Sequence, residues 1–388
     1  MQFEFTELNP TELALQAEVR GFLAAALPFG SYEPGLGMAG KKDPGFSQQL
    51  AARGWIGMSL PREYGGGDRS AVERFVVAEE LLRWGAPVGH HWVADRQSGP
   101  LIAKVGTPEQ KERFLPAICR GEVSFCIGMS EPDSGSDLAS VQARATSVAG
   151  GWTVDGTKVW TTGAHEHDWM IALVRTSDAE DRHAGLSQLL VDLRAPGVEV
   201  HPIPFLDGTV DFNEVVLTEV FVPDTDVVGV LGNGWSQIGQ ELSFERGGPD
   251  RWLSTYLVLE QFLREHDAGA LDQQAFDQQT LDDEVVELVG AATARFWGLR
   301  NLSLSVARAI DSGGQPAIPA ALVKEMGTRF EQDLLEGLRR LVDLEPSPTS
   351  SSLFERLLAN AILTSPAFTI RGGTIEILRS VAAKGLRT

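Results

Sequence analysis

Apolar residues recur every three or four positions up to about residue 122, on alternate positions to about 232, and every three or four again to the C-terminus. That change of period predicts helices, then short strands, then helices. Asn9-Pro10-Thr11 opens the first helical segment, with Leu13, Leu15, Val19, Phe22, Leu23, Ala26 and Leu27 on one broad face. A Gly/Lys/Pro-rich loop near 34–45 follows, then a helix stopped at Arg53-Gly54, glycine being the usual terminator. A turn-rich crossover spans Trp55 to Gly66. Thr107-Pro108-Glu109-Gln110 carries a cap, a first-turn proline and a residue able to close a capping box. Strands are predicted at 169–175, 187–192, 198–202 and 211–217. Val285, Leu288, Val289, Ala292, Phe296, Leu299, Leu302, Val306 and Ile310 mark a bundle helix, and 346–352 reads as a mobile loop. The implied architecture is mostly α with an inserted β-domain: helical 1–122, β 123–232 and a C-terminal bundle 233–388.

The stretch 125–163 stands apart. An apolar run breaks into Ser130-Glu131-Pro132 and then Gly135-Ser136-Asp137. Proline lacks an amide hydrogen and biases the preceding residue away from helix. Such a strand end gathers N–H groups and small hydroxyls, which suits an anionic or strongly accepting ligand. Trp152 to Thr162 alternates bulky and polar residues around Asp155-Gly156, which reads as a hairpin. The expectation is two strand ends close together, one bearing Ser130 and Ser136, the other Trp160 and Thr162. A plain hairpin with locally paired hydroxyls satisfies the same pattern.

Charge and cysteine content narrow the partners. The 388 residues carry a formal net charge of −20, which argues against nucleic acid or an anionic membrane. Cys119 and Cys126 make no disulfide framework and suit a reducing cytoplasm. The opening Phe3-Glu4-Phe5-Thr6-Glu7 is interrupted by acids, unlike a secretory signal. No apolar run reaches membrane-spanning length.

Residues Phe125, Cys126, Ser130, Glu131, Pro132, Gly135, Ser136, Asp137, Gly156, Lys158, Trp160 and Thr162, in that order, resemble the acyl-CoA dehydrogenase family. The resemblance covers the whole chain. It implies FAD-dependent α,β-desaturation of an acyl-CoA thioester: a carboxylate takes the α-proton while the β-hydrogen leaves as hydride to flavin N5. Electron-transfer flavoprotein is then the expected electron acceptor, and no metal is implied. Ser130 and Thr162 match positions that hydrogen-bond the flavin ring, Trp160 one that packs on it, and Gly135-Ser136 one near the diphosphate and the CoA. Phe125, Ile127, Met129, Thr161, Thr374 and Glu376 complete the implied cofactor contacts, and Ser136, Arg246 and Arg371 the substrate contacts.

The base is less direct. The C-terminal motif reads Arg371-Gly372-Gly373-Thr374-Ile375-Glu376-Ile377-Leu378-Arg379. Many family members carry the catalytic Glu directly before the Gly-Thr pair; here that position is Gly372, and Glu376 falls where the family has a flavin-side polar residue. A second arrangement, as in isovaleryl- and long-chain acyl-CoA dehydrogenases, places the base on the first long helix of the C-terminal region, before an Arg. Glu245-Arg246, after Gly232-Asn233-Gly234-Trp235, matches it. A solvated ion pair is the ordinary reading of Glu-Arg; the vacancy at 372 favours catalysis by Glu245. The Gly372 backbone N–H then serves the thioester oxygen, as in the family.

The family's Arg-x-x-Phe-Gly…Gln motif, which holds a neighbour's flavin diphosphate, is missing near 276–298. Its Gln-x-x-Gly-Gly-x-Gly-Tyr stretch is replaced by a Pro/Ser/Thr-rich 344–353. The pattern is similar to the catalytic half of an α2β2 enzyme, in the manner of actinobacterial sterol side-chain dehydrogenases, acting on a bulky or branched acyl-CoA. Within a homotetramer, Arg295 or Arg300 would have to take over. A non-catalytic scaffold subunit, or an acyl-CoA oxidase or flavin monooxygenase on the same fold, are the competing readings. His90 and His91 are expected at the surface or lining a pocket, and His165 and His167 in a loop beside the hairpin.

Overall fold

The computed structural model describes the chain except residues 1–5, 37–40, 179, 268–277, 343–344 and 386–388, and except the side chains of 240–245 and 278–282. In chain order the helices are α1 (Pro10–Ala26), α2 (Pro44–Ala52), α3 (Ala71–Trp84), α4 (Gly99–Val105), α5 (Pro108–Cys119), α6 (Gly234–Glu245), α7 (Tyr256–Asp267), α8 (Gln278–Asp311), α9 (Ala317–Leu341), α10 (Leu353–Phe368) and α11 (Ile375–Gly385). The strands are β1 (Phe125–Gly128), β2 (Arg144–Val148), β3 (Gly151–Lys158), β4 (Trp169–Arg175), β5 (Leu186–Asp192), β6 (Val198–Pro204), β7 (Val210–Pro223) and β8 (Val227–Val228). They group into two compact bodies, one of Lys41–Ser70 and Pro87–Glu245, the other of Met1–Gly40, Ala71–Ala86 and Arg246–Thr388. Among the described residues no helix is long and apolar enough to cross a membrane.

The first body is built on an eight-stranded sheet of order β6-β7-β3-β2-β4-β5-β8, with β1 paired to β4. Pairings are antiparallel except β1–β4 and the single β2–β4 bridge. Strand β4 explains its own composition. Met170, Ala172 and Val174 pack with Val154, Val191, Val215 and Val220. Ile171, on the other face, packs with Ile102, Phe114, Leu115 and Ile118 of α4 and α5. A strand covered on both faces reads as a continuous apolar run rather than an alternation.

The Asp155-Gly156 reading is corrected. Strand β3 runs straight through those residues, and its register against β7 shifts between Val154 and Gly156. Gly156 has φ +147°, and a Cβ there would sit 2.5 Å from Ala143 Cβ. This is a bulge at a close backbone approach, where glycine alone fits. The turn lies instead at Ala149-Gly150, because Val148 pairs with Gly151 and Gly150 adopts φ +80°.

In the helical body α1 starts with a capping box between Asn9 and Glu12; in the first body Thr107 and Gln110 form the expected one on α5. Buried Val285, Ala292, Leu299 and Val306 follow at seven-residue spacing along α8, a regular inward stripe. Buried acids are paired within this body: Glu79 with Arg300 (2.6 Å) and Glu80 with Arg20 (2.8 Å). The C-terminal end of the 346–352 loop is tied to α7 and α10. Arg356 Nη1 donates to the Ser350, Ser351 and Ser352 carbonyls, and the Ser352 hydroxyl donates to Glu265 (2.7 Å).

Candidate active site

One group of candidate residues lies in the sheet-bearing body, where the ends of β1 and β3 meet. Val159 N–H donates to the Ser130 carbonyl (2.9 Å), drawing the two chains together although their strands are not paired. Beneath this crossing the fully buried Lys158 ammonium donates to Glu131 Oε1 (2.7 Å) and to the Met129 carbonyl (3.3 Å). Glu131 also accepts from the Gln142 and Ala143 amides, at 2.6 and 2.9 Å. Thr161 is fully buried and exchanges both backbone hydrogen bonds with Asn213 at 3.0 Å.

Trp160, one residue earlier, behaves differently. It adopts φ +59°, a left-handed conformation that non-glycine residues rarely take. Its indole is 55% exposed, and its edge-to-face contact with Phe212 has a centroid distance of 5.9 Å. A large flat apolar ring held in the open, with half-buried Ser130 and Thr162 on the same pair of crossing chains, offers both stacking area and hydroxyls. Those are the groups a flat heteroaromatic ring with acceptor atoms needs. Gly135 and Ser136 are exposed, Ile127 and Met129 pack at the edge of the core, and Phe125 is sealed against Phe114. Phe125 and Thr161 thus contribute to the scaffold with their side chains turned into the core.

The histidines divide. His90 and His91 are buried, correcting the surface expectation: His90 Nε2 donates to the Gly121 carbonyl (3.1 Å) and His91 Nδ1 meets the Ser47 hydroxyl (2.8 Å). Burial lowers all three of His90, His91 (to about 4) and His167 (to about 3). His165 is exposed and meets Asn213 Oδ1 at 2.9 Å. Nearby Asp211 is raised to about 6 by burial.

A separate group lies in the helical body, at the turn between α10 and α11. Gly372 and Gly373 adopt φ +66° and +97°. Arg246 Nε donates to the Gly372 carbonyl at 2.9 Å. The buried Arg251, paired with Asp250 (2.9 Å), lies so close that a Cβ on Gly372 would be 3.1 Å from its guanidinium. Arg371 donates to Glu331 Oε2 (2.6 Å) and to the Ser254 hydroxyl (3.0 Å), while Glu331 accepts from Ser254 N–H (2.7 Å). Arg371 is therefore committed to holding the turn. Thr374 Oγ1 accepts from Ile377 N–H (3.4 Å) at the start of α11. The exposed Glu376 carboxyl is held below its usual range by its own backbone amide and the Thr374 hydroxyl. Glu245 is the last residue of α6; its side chain lies outside the described residues.

Lys324 of α9 closes the turn from below. Its ammonium donates to the last carbonyls of α10, Phe368 (2.9 Å) and Thr369 (3.3 Å). Burial first, then the Arg251 and Arg371 charges, with Arg246 a lesser cause, lower it to about 7 against the raising influence of Glu331. Because the unfolded chain keeps this proton up to about pH 10.4, the penalty of folding is full below about 7 and fades as pH rises from there. We predict that wild type gains stability relative to Lys324→Met between pH 7 and 9, by up to about 1.4 kcal/mol per pH unit. Urea unfolding at several pH values reads this; parallel pH profiles for the two proteins would refute it.

Two groups escaped the sequence reading: the buried Glu131–Lys158 pair and Arg251. The signal for the first was two charges set inside apolar motifs, Ser-Glu-Pro and Lys-Val-Trp. Nothing in the sequence marked Arg251.

Comparison with known proteins gives a consistent picture. Residues 9–122 match the pattern described as "Acyl-CoA dehydrogenase, N-terminal domain" and 126–220 that of the middle domain. The chain is 33% identical to the acyl-CoA dehydrogenase IpdE1 of Mycobacterium tuberculosis, over 95% of each protein. It is 34% identical to FadE34 of the same organism, over 87% of this chain but spanning only 45% of that protein's length. Among solved structures it superposes on the Tcur3481-Tcur3483 steroid ACAD with TM-score 0.84 at 27% identity, covering 100% and 99% of the chains. The ChsE4-ChsE5 complex from Mycobacterium tuberculosis gives TM-score 0.81 at 26% identity, covering 100% and 99%.

Proposed function

Because the chain belongs to the acyl-CoA dehydrogenase family, oxidoreductases that work with FAD, we propose that it desaturates an acyl-CoA thioester with Glu245 as the base. The observation that carries this reading is the Gly372 turn. No carboxylate stands at that position, its φ is left-handed, and Arg251 fills the adjoining space. Arg246, the residue after Glu245, is not a solvated surface charge but anchors the Gly372 carbonyl.

In this reading Glu245 takes the α-proton, and the Gly372 N–H donates to the thioester oxygen, where charge develops as the proton leaves. Trp160, Ser130 and Thr162 are the residues that would hold the flavin ring, the indole by stacking and the two hydroxyls by hydrogen bonds. The bound flavin supplies a two-electron acceptor for the β-hydrogen, with electron-transfer flavoprotein as the onward acceptor. A base on α6 leaves room near the thioester for a branched or bulky acyl group. We keep the division at 1–122, 123–232 and 233–388 as the domain organisation. Cys119 and Cys126 are buried free thiols, which supports a reducing cytoplasmic setting.

We further propose assembly with a different, homologous chain. The relatives named above include two-chain complexes, ChsE4-ChsE5 and Tcur3481-Tcur3483. The arginines available to replace the missing diphosphate motif are engaged: Arg300 with buried Glu79, and Arg295 with Asp333 (2.9 Å) beside Phe330. A chain of net charge −20 holds an anionic diphosphate only through a local cation. Expression with a paralogue carrying that motif is expected to yield two FAD per four chains, read by native mass and flavin absorbance. A homotetramer with one FAD per chain and full activity would exclude it.

A further inference from the structure

We propose that the buried Glu131–Lys158 pair is a positioning device for the flavin, setting the spacing between the chain that carries Ser130 and the chain that carries Trp160 and Thr162. The proposal rests on the reading that those three residues face the ring.

The pair brackets one residue. Lys158 Nζ reaches the Met129 carbonyl immediately before Ser130 and the Glu131 carboxylate immediately after it. The same ammonium sits two positions before Trp160, and the intervening Val159 N–H donates to the Ser130 carbonyl. Each side is then fixed to something rigid. The carboxylate accepts from the Gln142 and Ala143 amides, and Ala143 is the residue against which the Gly156 bulge closes. The lysine stem runs past Gly128, where a Cβ would lie 3.3 Å from Lys158 Cγ. The backbone on both sides of Ser130 and two residues ahead of Trp160 is thereby tied to a single charge contact.

A structural anchor alone does not need this arrangement. Both charges are taken out of water, and well-packed apolar residues of similar volume often hold a core at least as firmly. An ion pair with directional hydrogen bonds gives what apolar packing does not, one defined spacing and orientation. Trp160 needs that definition, because its left-handed backbone is strained and its indole is 55% exposed, meeting Phe212 edge to face.

The test uses Lys158→Met, Glu131→Gln and the double variant, each prepared as the wild-type holoenzyme is, with its partner chain if one is required. Folding is read by circular dichroism and thermal unfolding, the cofactor by FAD affinity, the flavin absorption band and its reduction potential. Each single variant strands a buried charge and should unfold at lower temperature. The double variant is expected to recover most of that loss, while its FAD affinity stays at least tenfold weaker than wild type and its flavin band and potential stay displaced. A merely structural pair predicts that all readouts recover together. The inference is overturned if the double variant is folded and binds FAD with wild-type affinity, band and potential. Trp160→Ala separates the two layers. If it leaves the flavin band unchanged, the placement of the ring is wrong; if it shifts the band while the double variant does not, only the positioning role falls.

Discussion

Glu245→Gln is expected to leave FAD bound and to reduce turnover at least about a hundredfold, the low end for loss of a general base. Glutamine keeps the size and hydrogen-bonding shape of the side chain but accepts no proton. The loss should fall on kcat rather than on acyl-CoA binding, since the removed step is made only in the transition state. Moving the carboxylate to the other family position should not rescue it. In Glu245→Gln/Gly372→Glu the new side chain would have to adopt φ near the +66° of Gly372, with its Cβ 3.1 Å from the Arg251 guanidinium. Strain and misdirection by that cation both oppose a productive geometry. Steady-state kinetics with flavin quantitation decides the matter. Near-normal turnover of Glu245→Gln would move the base elsewhere, with Glu376 the next to test; recovery in the double variant would show that the turn accepts a side chain.

Glu331→Ala is expected to cost about 3–5 kcal/mol of stability, the range for breaking one side of a buried ion pair. Glu331 is fully buried, and its two oxygens receive Ser254 N–H at 2.7 Å and Arg371 at 2.6 Å. Removing it strands the largely buried Arg371 guanidinium and a backbone donor together. Arg340–Glu336, both exposed at one turn's spacing on α9, provides the contrast, because such surface pairs contribute at most about 1 kcal/mol. Chemical denaturation of Glu331→Ala beside Glu336→Ala measures the difference. Equal small losses would mean that the helical body re-forms around Arg371 at little cost.

Element types were legible because they depend on local periodicity. The capped starts of α1 and α5, the strand at 169–175 and the inward stripe of α8 were all written in spacing and cap residues. Asp155-Gly156 misled because a glycine between alternating strands signals a turn and a bulge alike. The choice was made by Ala143, which approaches the glycine from a different strand connection. His90 and His91 misled for a similar reason: paired polar residues are most often exposed, and only the Gly121 carbonyl and the Ser47 hydroxyl make their burial affordable.

The chain's sequence alone determined its family, its helix–strand–helix order and the vacancy at Gly372, since each depends on residue type at fixed spacing. Tertiary structure alone decided what surrounds those positions. Arg251 against Gly372, Arg371 committed to Glu331, Arg300 locked to Glu79 and Lys158 bracketing Ser130 through Glu131 join residues up to more than two hundred positions apart in the chain. Partners of that kind are chosen by which buried charges the fold brings together, and no local pattern records the choice.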